Sequence, residues 1–322
     1  MTAFKSLFAE KFQKYLDYRT ALGYKATTYM TFLKQLDKYC FTEHPEDTVL
    51  SEDVVLGWLV RREEESQERF SMRCSFVRRL AEYFSYLGEE VYILPEKFCA
   101  ASSNFVPYIL SDSELHNLFS AIDAIEDPDP FVPYILSTAF RLVYTCGLRP
   151  NESRNLKRND VNLITGEVTI HKTKYNRERV VVMSSDMLNL ARNYAVIRDV
   201  AYHSSEYFFP NPKGEAYPSI WYQKHLAKAF RKTYPEAKED EIPRLRVYDL
   251  RHRFASAVLM KWVDEGKSLY SRLPYLQSYM GHRNFASTAY YIHLLPEKIA
   301  RSAGIDWNAL GVLIPEVSAW ED

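Results

Sequence analysis

At 322 residues the chain is longer than a single hydrophobic core usually serves, so two domains are expected. Apolar residues make up 47% of it and aromatic residues 15%, which excludes a disordered or collagen-like chain. The formal net charge of −1 does not advertise a polyanionic partner, although a nearly neutral chain can still hold one if its basic residues are clustered.

No run approaches the ~20 uncharged apolar residues that a membrane helix needs. The start, Met1-Thr2-Ala3-Phe4-Lys5, lacks the basic-then-apolar layout of a secretory signal. A soluble, cytoplasmic protein is expected. Cys40, Cys74, Cys99 and Cys146 show neither a Cys-x-x-Cys pair nor framework spacing, so reduced core thiols are expected rather than a zinc site or disulfide scaffold.

The first hundred residues read as four or five short helices, because Phe4, Phe8, Phe12, Tyr15 and Leu16, then Met30, Leu33 and Leu36, recur at three- and four-residue steps. Gly23, the stretch around Pro45, and Gly88 punctuate them. Between Tyr92 and Val106 the periodicity fades into Cys99-Ala100-Ala101-Ser102-Ser103-Asn104, which suits an interdomain linker. Ser111-Asp112-Ser113-Glu114 then precedes Leu115, Leu118 and Phe119, a capping-box start to a new helix. The expected domains are 1–104 and 105–322, with a tail from about residue 296.

Basic residues do cluster: nine Lys or Arg stand against four acids between Arg141 and Val182, and nine against five between Trp221 and Met260. Within the first stretch, Thr145-Cys146-Gly147-Leu148-Arg149-Pro150-Asn151-Glu152 ends one helix at Gly147 and opens another at Pro150, a favoured first helical position. Arg149 would sit at that junction, where an anion is favoured. Val168-Thr169-Ile170 and Arg179-Val180-Val181-Val182-Met183 are β-type runs around polar Lys172–Glu178, a small antiparallel hairpin in an otherwise helical domain.

After Ile220 the pattern is helical again. In Val247-Tyr248-Asp249-Leu250-Arg251-His252 the three- and four-residue steps place Tyr248, Arg251 and His252 on one helical face, a costly stripe to bury without a purpose. In Gly281-His282 to Tyr290-Tyr291-Ile292-His293, continuous helix would hold His282 and Tyr291 roughly 13 Å apart. A new helix capped by Ser287 or Thr288 would instead let the chain turn and bring them together.

The ordered set Gly-Leu-Arg-x-x-Glu, a hairpin lysine, Leu-Arg-His, Gly-His and Tyr-x-His resembles the tyrosine recombinase (phage integrase) family, and the helical Met1–Ser103 segment resembles its core-binding domain. The resemblance implies a mainly α fold with a small β-hairpin, arranged as a two-domain clamp on double-stranded DNA. It implies an enzyme that cuts and rejoins DNA at specific sites through a 3′-phosphotyrosine, without metal or cofactor, as a homotetramer on paired sites and a monomer or dimer off DNA. A type IB topoisomerase and a non-catalytic DNA-binding protein are the rival readings.

Carried over by position, Arg149 and Arg251 become the clamping arginines, His282 the Gly-His histidine and Tyr291 the nucleophile, with Tyr290 one residue out of register. Lys174, in Lys174-Tyr175-Asn176-Arg177-Glu178-Arg179, matches the hairpin lysine, and Lys172 is the runner-up. Tyr248 stands where the family usually has histidine; a phenol is a poor base at neutral pH, so it is assigned hydrogen bonding, and the group that removes the tyrosine proton is left open. Lys25, Thr27, Thr28, Arg73, Arg78 and Arg79 are the groove-facing candidates of the first domain. The apolar tail residues would dock on a neighbouring subunit or pack on their own domain.

Overall fold

The computed structural model of the chain describes residues 4–24, 26–99, 107–171 and 178–294. The chain divides into two compact units, Met1–Phe105 and Val106–Trp320. Among the described residues, no helix is long and apolar enough to cross a membrane.

The first unit packs α1 (Ala9–Ala21), α2 (Ala26–Glu43), α3 (Glu52–Trp58) and α4 (Gln67–Tyr86), followed by a 3-10 turn at Glu96–Phe98. Its starts are legible: Ser51 and Ser66 accept from the backbone N–H of Val54 and Arg69 and cap α3 and α4. Phe8, Phe12 and Tyr15 pack with Leu33, Leu36, Val54, Trp58, Val77, Leu80 and Phe84 in one apolar core.

That core also holds a charge. Arg73 is fully buried; its guanidinium donates to the Trp58 and Val60 carbonyls at 2.7 and 3.1 Å and pairs with the buried Glu65 carboxylate at 2.7 Å. Arg73 is therefore removed from the groove-facing candidates. Its place on α4 turns it inward, where it ties the end of α3 and the following loop to the middle of α4.

The second unit begins with α5 (Asp112–Asp123), opened by the capping box expected at Ser111 and Glu114: the Glu114 N–H donates to Ser111 Oγ and the Ser111 N–H to Glu114 Oε2. Next comes α6 (Val132–Cys146), whose Ile135, Leu136, Ala139, Phe140, Leu142 and Val143 are buried at helical spacing and form the centre of the unit. A short α7 (Pro150–Arg154) follows, then β1 (Glu167–Ile170) and β2 (Arg179–Val182), antiparallel with Val168 opposite Val181 and Ile170 opposite Arg179. The unit continues through α8 (Ser185–Ala201), α9 (Ser219–Lys232), α10 (Val247–Asp264), α11 (Leu269–Met280), a four-residue α12 (Ala286–Ala289) and a 3-10 turn over Tyr290–Leu294. Helix α10 packs on α6, on α11 and on that last turn. It is the element around which the candidate site is built.

Removing one partner of a buried ion pair leaves the other uncompensated. Arg73→Ala should therefore cost the first unit about 3–5 kcal/mol of stability, read by urea denaturation of the whole chain. An unchanged midpoint would show that the pair contributes nothing.

Candidate active site

Two glycines shape the site. Helix α6 ends at Gly147 (φ 60°) and α11 at Gly281 (φ 66°), both left-handed. A Cβ at Gly147 would lie 2.5 Å from the Phe254 ring, and one at Gly281 would lie 3.1 Å from the Arg179 guanidinium. The backbone reversal and the close approach both require glycine here. Carbonyl oxygens at these helix ends then face inward, where α10 presents Arg251.

Arg251 has no exposed surface. It donates to the Gly147 carbonyl, to the Met280 carbonyl at 2.7 Å and to His282 Nε2 at 3.0 Å. Arg149, the residue before α7, donates to the Gly281 carbonyl at 2.7 Å and to Glu152 Oε1 at 2.7 Å. The two arginines thus rest on adjacent carbonyls, those of Met280 and Gly281, although 102 positions separate them in the sequence. Burial pulls the Arg251 guanidinium below its ordinary value, and Arg149 beside it acts in the same direction.

Glu152 is the shared counter-charge. Besides Arg149 it receives both terminal nitrogens of Arg179, at 2.9 and 2.6 Å, and the Arg149 backbone N–H at 2.8 Å. Burial alone would raise this carboxyl, but Arg179 and Arg149 hold it down at about 2. Arg179 is the first residue of β2, so Glu152 ties the root of the hairpin to Arg149.

His282 follows Gly281. Because Arg251 can only donate, Nε2 of His282 accepts, and Nδ1–H donates to Thr288 Oγ1 at 2.8 Å. Burial, with Arg251 and Arg149 nearby, pushes its pKa down to about 3, so the ring is neutral. The chain turns after His282 as anticipated, by a different device. Helix α12 begins at Ala286, where Asn284 Oδ1 accepts from the Ser287 N–H at 3.0 Å, and Thr288 is spent on holding His282 rather than on capping.

This turn brings Tyr291 back over the site. Its ring is stacked on His282 at 5.9 Å between centroids and tilted against His252 at 5.4 Å, and its hydroxyl lies 3.2 Å from His252 Nδ1. Tyr291 is 2% exposed and belongs to an apolar cluster with Leu259, Leu273, Leu276 and Met280. Burial pushes the phenol up to about 12 against the opposing pull of the Arg251 guanidinium beside it. The phenol is covered, but it is covered next to the arginine. Tyr290 meets the Tyr291 ring edge-on at 6.2 Å on the side toward Arg246 and Asp249.

Tyr248 is partly exposed on the first turn of α10, its ring 5.0 Å from that of His252 and 6.0 Å from the Arg251 guanidinium carbon. Beside it a pocket of about 300 Å³ is lined by Pro150, Arg154, Ser219, Gln223, Arg246 and Tyr248. Lys172 and Lys174 lie outside the described residues, as do Lys25 and the tail; the Thr28 side chain is also outside them. Of the other first-unit candidates, Thr27 and Arg79 are exposed, whereas Arg78 donates to the Leu94, Pro95 and Glu96 carbonyls and fastens the segment after α4.

The structure therefore gathers Arg149, Tyr248, Arg251, His282 and Tyr291, and adds four residues to which the sequence reading had given no catalytic role. Glu152 had a signal in its three-residue spacing from Arg149. His252 had one in its adjacency to Arg251. Arg179 and Thr288 had none, since their partners are distant or lie across a turn.

Both site histidines are held well below the ordinary 6.5, His252 at about 4 and His282 at about 3. Below pH 6.5 the unfolded chain therefore takes up protons that the folded site refuses, so stability is lost as the pH falls from about 6.5 towards 4. Thermal melting should show a falling Tm across that window, with a shallower slope in His282→Asn. Equal slopes would detach His282 from the effect.

Comparison with known proteins bears on the whole chain. Residues 109–298 match the model of the phage integrase family. A putative integrase/recombinase, y4rE, of Sinorhizobium fredii is 30% identical over 302 residues, covering 91% of this chain and 93% of that protein. Among solved structures, the XerH site-specific recombinase bound to a palindromic difH substrate superposes with a TM-score of 0.64 at 21% identity, over 90% of this chain and 82% of that one. A lambda integrase tetramer bound to a Holliday junction gives 0.62 at 14% identity, over 88% and 76%. The fold, the gathered arginines and the match over more than half of its length place this chain in the phage integrase family, the tyrosine recombinases.

Proposed function

We propose that this recombinase cleaves duplex DNA by attack of Tyr291 on a phosphodiester held between Arg149 and Arg251, forms a 3′-phosphotyrosine, and exchanges strands between two sites. The observation that carries the reading is the convergence on adjacent carbonyls, Met280 and Gly281, of two arginines, with Tyr291 packed against the histidine that follows. A phosphoryl transfer needs charge stabilisation on the non-bridging oxygens above all, and two planar guanidinium forks supply it.

Arg149 and Arg251 exchange carbonyl acceptors for phosphate oxygens in the bound state, and the Nε of Arg251, buried without a partner among the described residues, is a further donor. His282 donates to the phosphate once Arg251 turns to the diester and Nε2 takes a proton or the ring changes tautomer. Tyr248 hydrogen-bonds at the rim. Lys174 protonates the departing 5′-oxygen, with Lys172 as the alternative. The covalent intermediate conserves the energy of the broken bond, so a 5′-hydroxyl of another strand reverses the step.

The helical first unit grips the duplex as well, with Lys25, Thr27, Thr28 and Arg79 as its groove-side residues and the basic stretches of the second unit on phosphates. The working assembly is a homotetramer on paired sites in the cytoplasm. A relative named integrase/recombinase favours exchange over one-site relaxation; assays of supercoil relaxation against two-site exchange separate the two.

Tyr291→Phe should abolish the covalent adduct on a nicked suicide substrate while leaving DNA binding in a band-shift assay intact; a persisting adduct would move the nucleophile to Tyr290 or elsewhere. Arg149→Ala should slow single-turnover cleavage by about 10² to 10³-fold, the usual loss for a preorganised donor. Near-parental cleavage would undo the clamp.

A further inference from the structure

The residues carried over from the family leave the nucleophile's proton without an acceptor. His282 has both ring nitrogens engaged, Nε2 by Arg251 and Nδ1 by Thr288, and in the bound state its Nε2 is the phosphate donor. Tyr248 brings a second phenol rather than an imidazole. The nitrogen beside the Tyr291 hydroxyl that can accept a proton is Nδ1 of His252, at 3.2 Å, from the turn of α10 that also carries Arg251, whose guanidinium can only donate.

We propose that His252 is the general base of strand cleavage, accepting the Tyr291 proton on Nδ1 as the phenolic oxygen bonds to phosphorus. The proposal rests on Tyr291 being the nucleophile. In the forward step the Oη–P bond forms, the P–O5′ bond breaks, the phenolic proton passes to His252, and the 5′-oxygen takes a proton from the general acid. In religation the same imidazolium returns its proton to Oη as the 5′-hydroxyl displaces it.

The geometry is that of a base in contact with its acid, within hydrogen-bond reach of the proton it must take. The titratable or charged groups around the ring are Arg246 just before α10, Tyr248 and Arg251 on it, His282 after α11, and Tyr291 on the last turn. Burial together with Arg246 and Arg251 keeps His252 neutral, near 4, so its lone pair is open at neutral pH. A bound diester adds negative charge facing those arginines and offsets their effect, so basicity rises when the substrate is in place. A phenol pushed up to about 12 by burial needs such an acceptor more than an exposed one would.

The test uses the full-length protein on nicked suicide DNA carrying either the ordinary 5′-oxygen or a 5′-bridging sulfur, whose departure needs no proton. His252→Ala should lower single-turnover adduct formation by about 10²-fold or more on both substrates, with band-shift affinity unchanged and partial recovery in added imidazole that tracks its free base. Sulfur should rescue Lys174→Ala but not His252→Ala. His252→Asn, which keeps an acceptor near the phenol but cannot carry the proton away, should remain slow. Parental rates in His252→Asn, or rescue of His252→Ala by sulfur, would overturn the assignment. An adduct persisting in Tyr291→Phe would instead overturn the nucleophile beneath it.

Discussion

Arg251 carries a permanent positive charge with none of its surface exposed, and the catalytic unit is arranged so that this is tolerable. A buried charge without partners costs several kcal/mol. Here the guanidinium meets the Gly147 carbonyl at the end of α6, the Met280 carbonyl at the end of α11 and the Nε2 of His282. Helix C-termini carry about half a negative charge each, so two macrodipoles point at one cation. The left-handed glycines that stop those helices are what aim the ends inward. The Gly-Leu-Arg and Gly-His motifs are in this sense one motif: each contributes a helix stop, and the helix stops hold the arginines.

The remaining charges follow from that arrangement. Arg149 rests on the next carbonyl, that of Gly281, and Glu152 joins it to Arg179. One carboxylate therefore serves two guanidiniums, leaving the site with an excess of positive charge inside a partly desolvated pocket. Burial, reinforced by that excess, makes both neighbouring histidines hard to protonate. The same positive charge that suits the site to an anion thus helps keep its imidazoles neutral.

Much of this architecture could be read in advance because it depends on local rules. The helix break between Gly147 and Pro150, the capping box at Ser111 and the β-type runs at Val168–Ile170 and from Arg179 are all short-range signals, and each appears where those signals placed it. What escaped the sequence depends on which way a side chain faces after packing. Arg73 is as charged as Arg79 and lies six residues away on the same helix, yet it points into the core. His252 was seen on the stripe with Arg251, but its partner lies 39 positions on, across a turn whose helix was expected to be capped by Ser287 or Thr288 and in fact starts without a side-chain cap. Thr288 was one of two candidate caps; the structure spends its hydroxyl on His282.

The burial of Tyr291 ties chemistry to grip. Phosphorus cannot come within bonding distance of an oxygen that the protein itself covers, so under the proposed attack by Tyr291 the turn over Tyr290–Leu294 has to yield before the diester reacts. The free energy for that opening has to come from contacts made elsewhere along the duplex, as binding energy drawn from remote parts of a substrate sets up the reacting centre. A phosphodiester that makes few of those contacts leaves the turn shut. Fidelity then resides partly in how firmly a stretch of DNA is held, ahead of any base that is read.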